Sequence, residues 1–295
     1  MTQQVPVDDR AETGIEIPEE NVFEIAPDVA YRRLALANIV LVGQPQGVGA
    51  RWVLIDAGLP GTAGIIARTA AARFTGASPP AAIILTHGHF DHVGALRTLA
   101  ERWDVPVYAH PLEMPYLDGR SAYPPPDPGV GGGIFSRMST LFPRAPVDVS
   151  RWLRPLPDDG SVPHMPGFRW LHTSGHAAGH VSFFRDADRL LIAGDAFITT
   201  AQESAYAVTV QAPELHGPPM YFTHDWQAAA TSVRALAALE PEIAVCGHGR
   251  AMRGEKMRLG LHRLANEFEA VAVPHGGRYV AHPARPQDGS AYPGT

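Results

Sequence analysis

The sequence predicts an α/β fold, and three observations predict it. Short apolar runs rich in β-branched residues recur along the 295 residues, stretches with helical apolar spacing separate them, and Gly/Pro-rich turns punctuate both. With 45% apolar and 18% charged residues the chain can bury one large core. A single elaborated domain over residues 21–280 is therefore expected, between a polar, acidic extension (1–20) and a Pro/Gly-rich tail (281–295) expected to be loosely held.

Taken in order, residues 38–43 (NIVLVG) and 51–58 (RWVLIDAG) read as paired strands joined by a Gly/Pro segment. Ile66, Ala70 and Phe74 then recur at helical spacing. Residues 81–86 (AAIILT) read as a buried strand, followed by a helix carrying Val93, Leu96, Ala100 and Trp103 on one stripe, and 105–110 (VPVYAH) as the next strand. Residues 111–150 show little periodicity and are expected to form a cap-like insertion near the site, where Met114, Tyr116, Tyr123, Ile134, Phe135, Met138 and Phe142 would line a substrate pocket. Three strand-like runs follow at 168–173, 181–186 and 189–195, then a second irregular segment at about 199–222. Trp226, Ala229, Val233 and Leu236 mark a helix, residues 242–246 a strand, and Met257, Leu261, Leu264, Phe268 and Val271 a last helix.

The formal net charge of −6 and the absence of basic runs argue against nucleic acid or anionic lipid as partners. No stretch is long and apolar enough to span a bilayer, and the N-terminal residues resemble no leader, so a cytoplasmic protein, monomeric or homodimeric, acting on a small molecule is expected. The single cysteine, Cys246, offers neither an internal disulfide nor a thiolate metal site and reads as core. A metal would have to rest on His and carboxylate.

Residues 87–92 supply such groups. His87, His89, Asp91 and His92 place three imidazoles and a carboxylate within six positions, directly after a strand. Imidazole nitrogen and carboxylate oxygen suit zinc or another first-row divalent ion, and loops at strand ends are where a rigid sheet presents binding groups.

This His-x-His-x-Asp-His run resembles the signature of the metallo-β-lactamase-fold hydrolases, in their lactonase and glyoxalase II-like dinuclear branch. Further matches follow in order: Gly175-His176-Ala177-Ala178-Gly179-His180, Gly194-Asp195, Gly247-His248, and the early Asp56-Ala57-Gly58. The resemblance implies a four-layer α/β/β/α sandwich. It also implies two metal ions, most simply zinc: His87, His89 and His176 on one, Asp91, His92 and His248 on the other, and Asp195 bridging both. A metal-bound hydroxide would attack an acyl bond, with Asp91 also moving a proton to the leaving group. Asp56 and His180 would orient ligands rather than bind metal.

The substrate is less constrained. The family's β-lactamases characteristically carry Cys or Ser where this chain has Asp195. Its acyl-homoserine lactonases share the seven ligands and some share Phe90, but place a tyrosine where this chain has Ile198; Tyr206, Tyr221 or Thr199 would have to orient the carbonyl instead. A lactone or related ester is the expected substrate. A glyoxalase II-like thioester hydrolase is the alternative, although the helical glutathione-gripping region of those enzymes is not evident after His248. A mononuclear iron enzyme of persulfide dioxygenase type is an alternative of another class.

Overall fold

The computed structural model describes residues 5–6, 15–17, 22–45, 51–74, 78–201 and 214–294. Two main sheets dominate it. The first has eight strands in sequence order: Ile15–Ile17, Val22–Ala26, Val29–Leu34, Ala37–Val42, Val53–Ile55, Ala82–Ile84, Val107–Ala109 and Leu153–Pro155. The first five pair antiparallel and the last four parallel, sharing Val53–Ile55. The second sheet has five strands in the order Phe168–His172, Val181–Arg185, Leu190–Gly194, Ile243–Cys246 and Met252–Arg253, with the pair Leu190–Gly194 and Ile243–Cys246 parallel. Val5–Pro6 and Glu214–Leu215 form a small separate ribbon.

Strand alternation explains the layering, because successive side chains point to opposite faces. Val53, Ile55, Ala82 and Ile84 point inward and pack with Leu190, Ile192, Phe183 and Val245 of the second sheet. Leu54, Ile83 and Leu85 point outward onto the helices Ala63–Arg73 and Leu96–Trp103, through Ile66, Ala70, Leu96 and Leu99. On the far side Leu191, Ala193, Ala244 and Cys246 meet the helices Trp226–Ala238 and Gly254–Asn266, through Val233, Leu236, Met257 and Leu261. The result is the α/β/β/α sandwich. Each fully buried Leu or Ile in these layers is worth about 1.5–3 kcal/mol, so three apolar layers hold the two sheets in register.

Several expectations are corrected. The segment 22–34 forms two strands, Val22–Ala26 and Val29–Leu34, that polar interruptions such as Glu24, Arg32 and Arg33 hide in the sequence. The helix expected from Val93 to Trp103 is broken into Phe90–Val93 and Leu96–Trp103. The amides of Gly94 and Ala95 bond to the carbonyls of Gly58 and Ala57 instead of continuing the helix. Residues 111–150 are not structureless: Pro111–Glu113 and Met114–Leu117 form consecutive helical turns, as do Ile134–Met138 and Ser139–Leu141. Such turns are too short to leave a periodic trace. The segment after residue 281 is fastened, with Ala284 N donating to His224 O, Arg285 paired to Asp225, and Tyr116 Oη donating to Ala291 O at 2.6 Å.

Candidate metal centre

The site lies at the C-terminal ends of two parallel strand pairs, one in each sheet. Val53–Ile55 delivers Asp56, Ala82–Ile84 leads into His87, Leu190–Gly194 delivers Asp195, and Ile243–Cys246 leads into His248. The turn before Val181–Arg185 carries His176 and His180. Parallel strands end together, so residues as distant as 56 and 248 converge.

All seven residues read from the sequence as ligands are brought together and buried. His87, His89 and His176 form one group of metal-competent atoms; Asp91, His92 and His248 form another; His87, His92 and Asp195 form a third, and within each group the atoms lie within 4.8 Å of one another. Asp195 Oδ2 lies 3.0 Å from His248 Nε2, 3.5 Å from His176 Nε2 and 3.6 Å from His92 Nε2. Asp91 Oδ2 is 3.5 Å from His248 Nε2. Gly247 permits this closeness, since a Cβ there would collide with Asp195 Oδ1 and His92 Cε1.

Four of the five histidines, His87, His92, His176 and His248, have their outward nitrogen tethered. His92 Nδ1 donates to Asp56 Oδ2 at 2.8 Å. Thr86 Oγ1 donates to the same oxygen and accepts from His87 Nδ1. His248 Nδ1 donates to Leu36 O, and His176 Nδ1 faces Thr223 Oγ1, whose hydrogen goes to Pro219 O. Inside, His87 Nε2, His92 Nε2 and Asp195 Oδ1 are buried without a hydrogen-bond partner, and His89 Nδ1 confronts His176 Nε2 at 2.9 Å. Buried polar atoms are seldom left unpaired unless something binds between them. This donor set fits divalent metal.

Electrostatics divide the ligands. Burial, reinforced by neighbouring imidazoles, keeps His87, His89 and His176 well below the ordinary imidazole value, hence neutral. For His92 and His248 burial also opposes charge, but the carboxylates outweigh it, chiefly Asp195, and both pKa values are raised. Asp195 is held well below the carboxylate range: burial acts against this, and the facing His248 and His92 overcome it.

Asp56 and His180 take outer positions. Asp56 accepts from Thr86 N, Thr86 Oγ1 and His92. His180 has both ring nitrogens engaged, Nε2 accepting from Asp195 N at 2.8 Å and Nδ1 facing Thr173 O at 3.0 Å. Phe90 and Tyr221 belong to an aromatic cluster with Phe142 and Phe222, and Phe222 stacks on His89 at 4.8 Å between ring centroids. Tyr206 lies outside the described residues. The Thr199 hydroxyl is engaged by backbone carbonyls, donating to Arg250 O at 2.6 Å and lying 3.1 Å from His248 O. Cys246 is buried in the helix-facing core. His216 pairs with Glu214, whereas His224 reaches the site's flank, 5.9 Å from His89 between ring centroids.

Sequence reasoning missed Thr86, Asn38 and Glu113, and it read Tyr123 as pocket wall rather than as the partner of Glu113 and Gly88. Asn38, in the first sheet, donates to Cys246 O at 2.8 Å and Gly249 O at 2.7 Å, clamping the His248 loop across the sandwich. Glu113 is fully buried, which pushes its carboxyl up to about 7 against the pull of three hydrogen bonds. Only an acid within the otherwise apolar run PLEMPYL hinted at it.

The fold and this centre define a metal-dependent hydrolase. The sequence profile of the Metallo-beta-lactamase superfamily matches residues 33–248. The chain is 47% identical over 249 residues to the probable metallo-hydrolase YflN of Bacillus subtilis (strain 168), covering 84% of this chain and 94% of that protein. It is 30% identical over 170 residues to the probable metallo-hydrolase YybB of the same organism, covering 58% of this chain and 64% of that one. A beta-lactamase domain protein from Burkholderia ambifaria shares the fold with a TM-score of 0.61 and 19% identity, over 90% of this chain and 79% of that one. The chain belongs to the metallo-beta-lactamase superfamily. Among the described residues no helix is long and apolar enough to cross a membrane.

Proposed function

We propose that this hydrolase works with two metal ions, zinc by the chemistry of its His and carboxylate donors, and cleaves the acyl bond of a lactone or related ester bearing an apolar group. The observation that carries the reading is Asp195 Oδ2, which lies within 3.6 Å of His176 from one ligand group and of His92 and His248 from the other. One carboxylate touching both groups is the arrangement that two adjacent cations need to offset their repulsion. His87, His89 and His176 would hold one ion and Asp91, His92 and His248 the other. Ions held there would activate a water as nucleophile and polarise a carbonyl.

The chain's own residues supply the rest. Asp91, at the rim of the buried group, is placed to pass a proton to the departing oxygen. Phe90, Phe142, Tyr221 and Phe222 form an apolar wall beside His89 that would seat an apolar substituent and exclude water. Phe142 comes from the 111–150 segment, which supports a capping role for that segment.

The test is elemental analysis together with a hydrolysis screen on the purified chain. Two ions per chain and preferential hydrolysis of alkyl-substituted lactones or esters are expected. A single ion, iron alone, or preference for thioesters overturns the reading.

A further inference from the structure

We propose that Glu113 is a positioning residue that locks together the two loops carrying His87, His89 and His176, resting on the reading of those three as one metal site. The loops come from opposite sheets, one following Ala82–Ile84 and the other preceding Val181–Arg185. Glu113 bonds to both. Its Oε2 accepts from Gly88 N at 2.9 Å, between His87 and His89, and its Oε1 accepts from Gly179 N at 2.8 Å, in the turn after His176. The Tyr123 hydroxyl donates to Oε2 and accepts from Gly88 N at 2.9 Å, so the Gly88 amide is shared between carboxylate and phenol.

Gly179 has no room for a side chain because of this residue: a Cβ there would lie 2.8 Å from Glu113 Cγ and from Glu113 N. A Cβ on Gly88 would press on the Tyr123 hydroxyl at 3.1 Å. The carboxylate itself is held rigidly. It ends the helical turn Pro111–Glu113, which His110 caps by accepting from Leu112 N, and Tyr123 is backed by Tyr116, stacked at 3.8 Å between ring centroids.

Three hydrogens converge on this side chain, which in its ionised form only accepts. Glutamine keeps its shape but replaces one acceptor with an NH2 donor, which must then face an N–H or O–H. A loosened outer partner of a metal site costs about 10–100-fold in affinity or activity. The loss should fall on the first ligand group, because His92 and His248 of the second are tethered elsewhere, through Asp56 and Leu36 O.

The experiment titrates the metal-free full-length chain with Co2+ and follows the visible absorption bands. His176→Ala identifies which equivalent belongs to the first group. Glu113→Gln is expected to weaken that equivalent about 10–100-fold, leave the other within about 3-fold, and lower kcat with little change in KM. Tyr123→Phe keeps the stacked ring and is expected to weaken the same equivalent by a smaller factor. Equal weakening of both equivalents, or none in either variant, overturns the proposal, and if Glu113→Gln does not fold, Tyr123→Phe decides it. A wild-type chain binding a single equivalent would instead sink the dinuclear reading; Glu113's role then stands or falls on whether that equivalent weakens.

Discussion

Asp56 accepts the Nδ1 hydrogen of His92 at 2.8 Å, and it does so from a left-handed backbone conformation with φ of 61°. The same carboxylate takes two hydrogens from Thr86, whose hydroxyl in turn steers His87. One acid thereby aims ligands of both groups.

Asp56→Asn is therefore expected to lower metal affinity or activity about 10–100-fold while preserving the fold. An amide presents a hydrogen where Thr86 or His92 already offers one. Metal content after dialysis against graded chelator, with kcat measured in parallel, checks this; wild-type retention of both ions would refute it.

Asp195→Ala is expected to abolish turnover and to reduce loading of both ligand groups, since its Oδ2 contacts histidines from each. Inductively coupled plasma analysis reads the loading. Wild-type metal content with retained activity would rule out a shared carboxylate.

Metal uptake should depend on pH differently at the two groups. In the metal-free chain the carboxylates raise the pKa values of His92 and His248, whereas burial depresses those of His87, His89 and His176. Binding at the second group should therefore expel more protons than binding at the first, and its affinity should rise more steeply with pH. Titration calorimetry in buffers of different ionisation enthalpy counts the protons. Equal release at both equivalents would contradict the assignment.

Acid should destabilise the metal-free chain partly through His180 and His224. Burial pushes both down to about 3. Between the unfolded value of 6.5 and about 3 the unfolded chain binds protons that the native state refuses, so their contribution turns against folding as pH falls through that window. His224→Asn should reduce the loss of stability between pH 7 and 4 in urea unfolding. An unchanged loss would show that His224 does not contribute.

Phe142→Ala should raise KM for substrates with apolar substituents about 10-fold, with metal content unchanged, because it removes part of the wall beside Phe90 and Phe222. A fall in kcat alone would argue that Phe142 serves the fold rather than the substrate.

The cluster His87, His89, Asp91 and His92 was legible in the sequence because it follows a strand-like apolar run directly, and Asp195 and His248 were legible through their resemblance to the later motifs of the family, each at the end of such a run. The roles of Glu113 and Asn38 were not legible, since each acts through backbone groups far along the chain: Asn38 on Cys246 and Gly249, Glu113 on Gly88 and Gly179. A backbone amide leaves no mark in the sequence of its partner. The break at Gly94 was equally hidden, because the carbonyls that capture its amide and that of Ala95 belong to a different strand end. The sequence by itself determined an α/β fold through local periodicity and the donor atoms through residue chemistry, while the layering came from the motifs' resemblance to a family. Only the tertiary structure decided how those donors are aimed and held, because the forces that aim them run between segments brought together by packing.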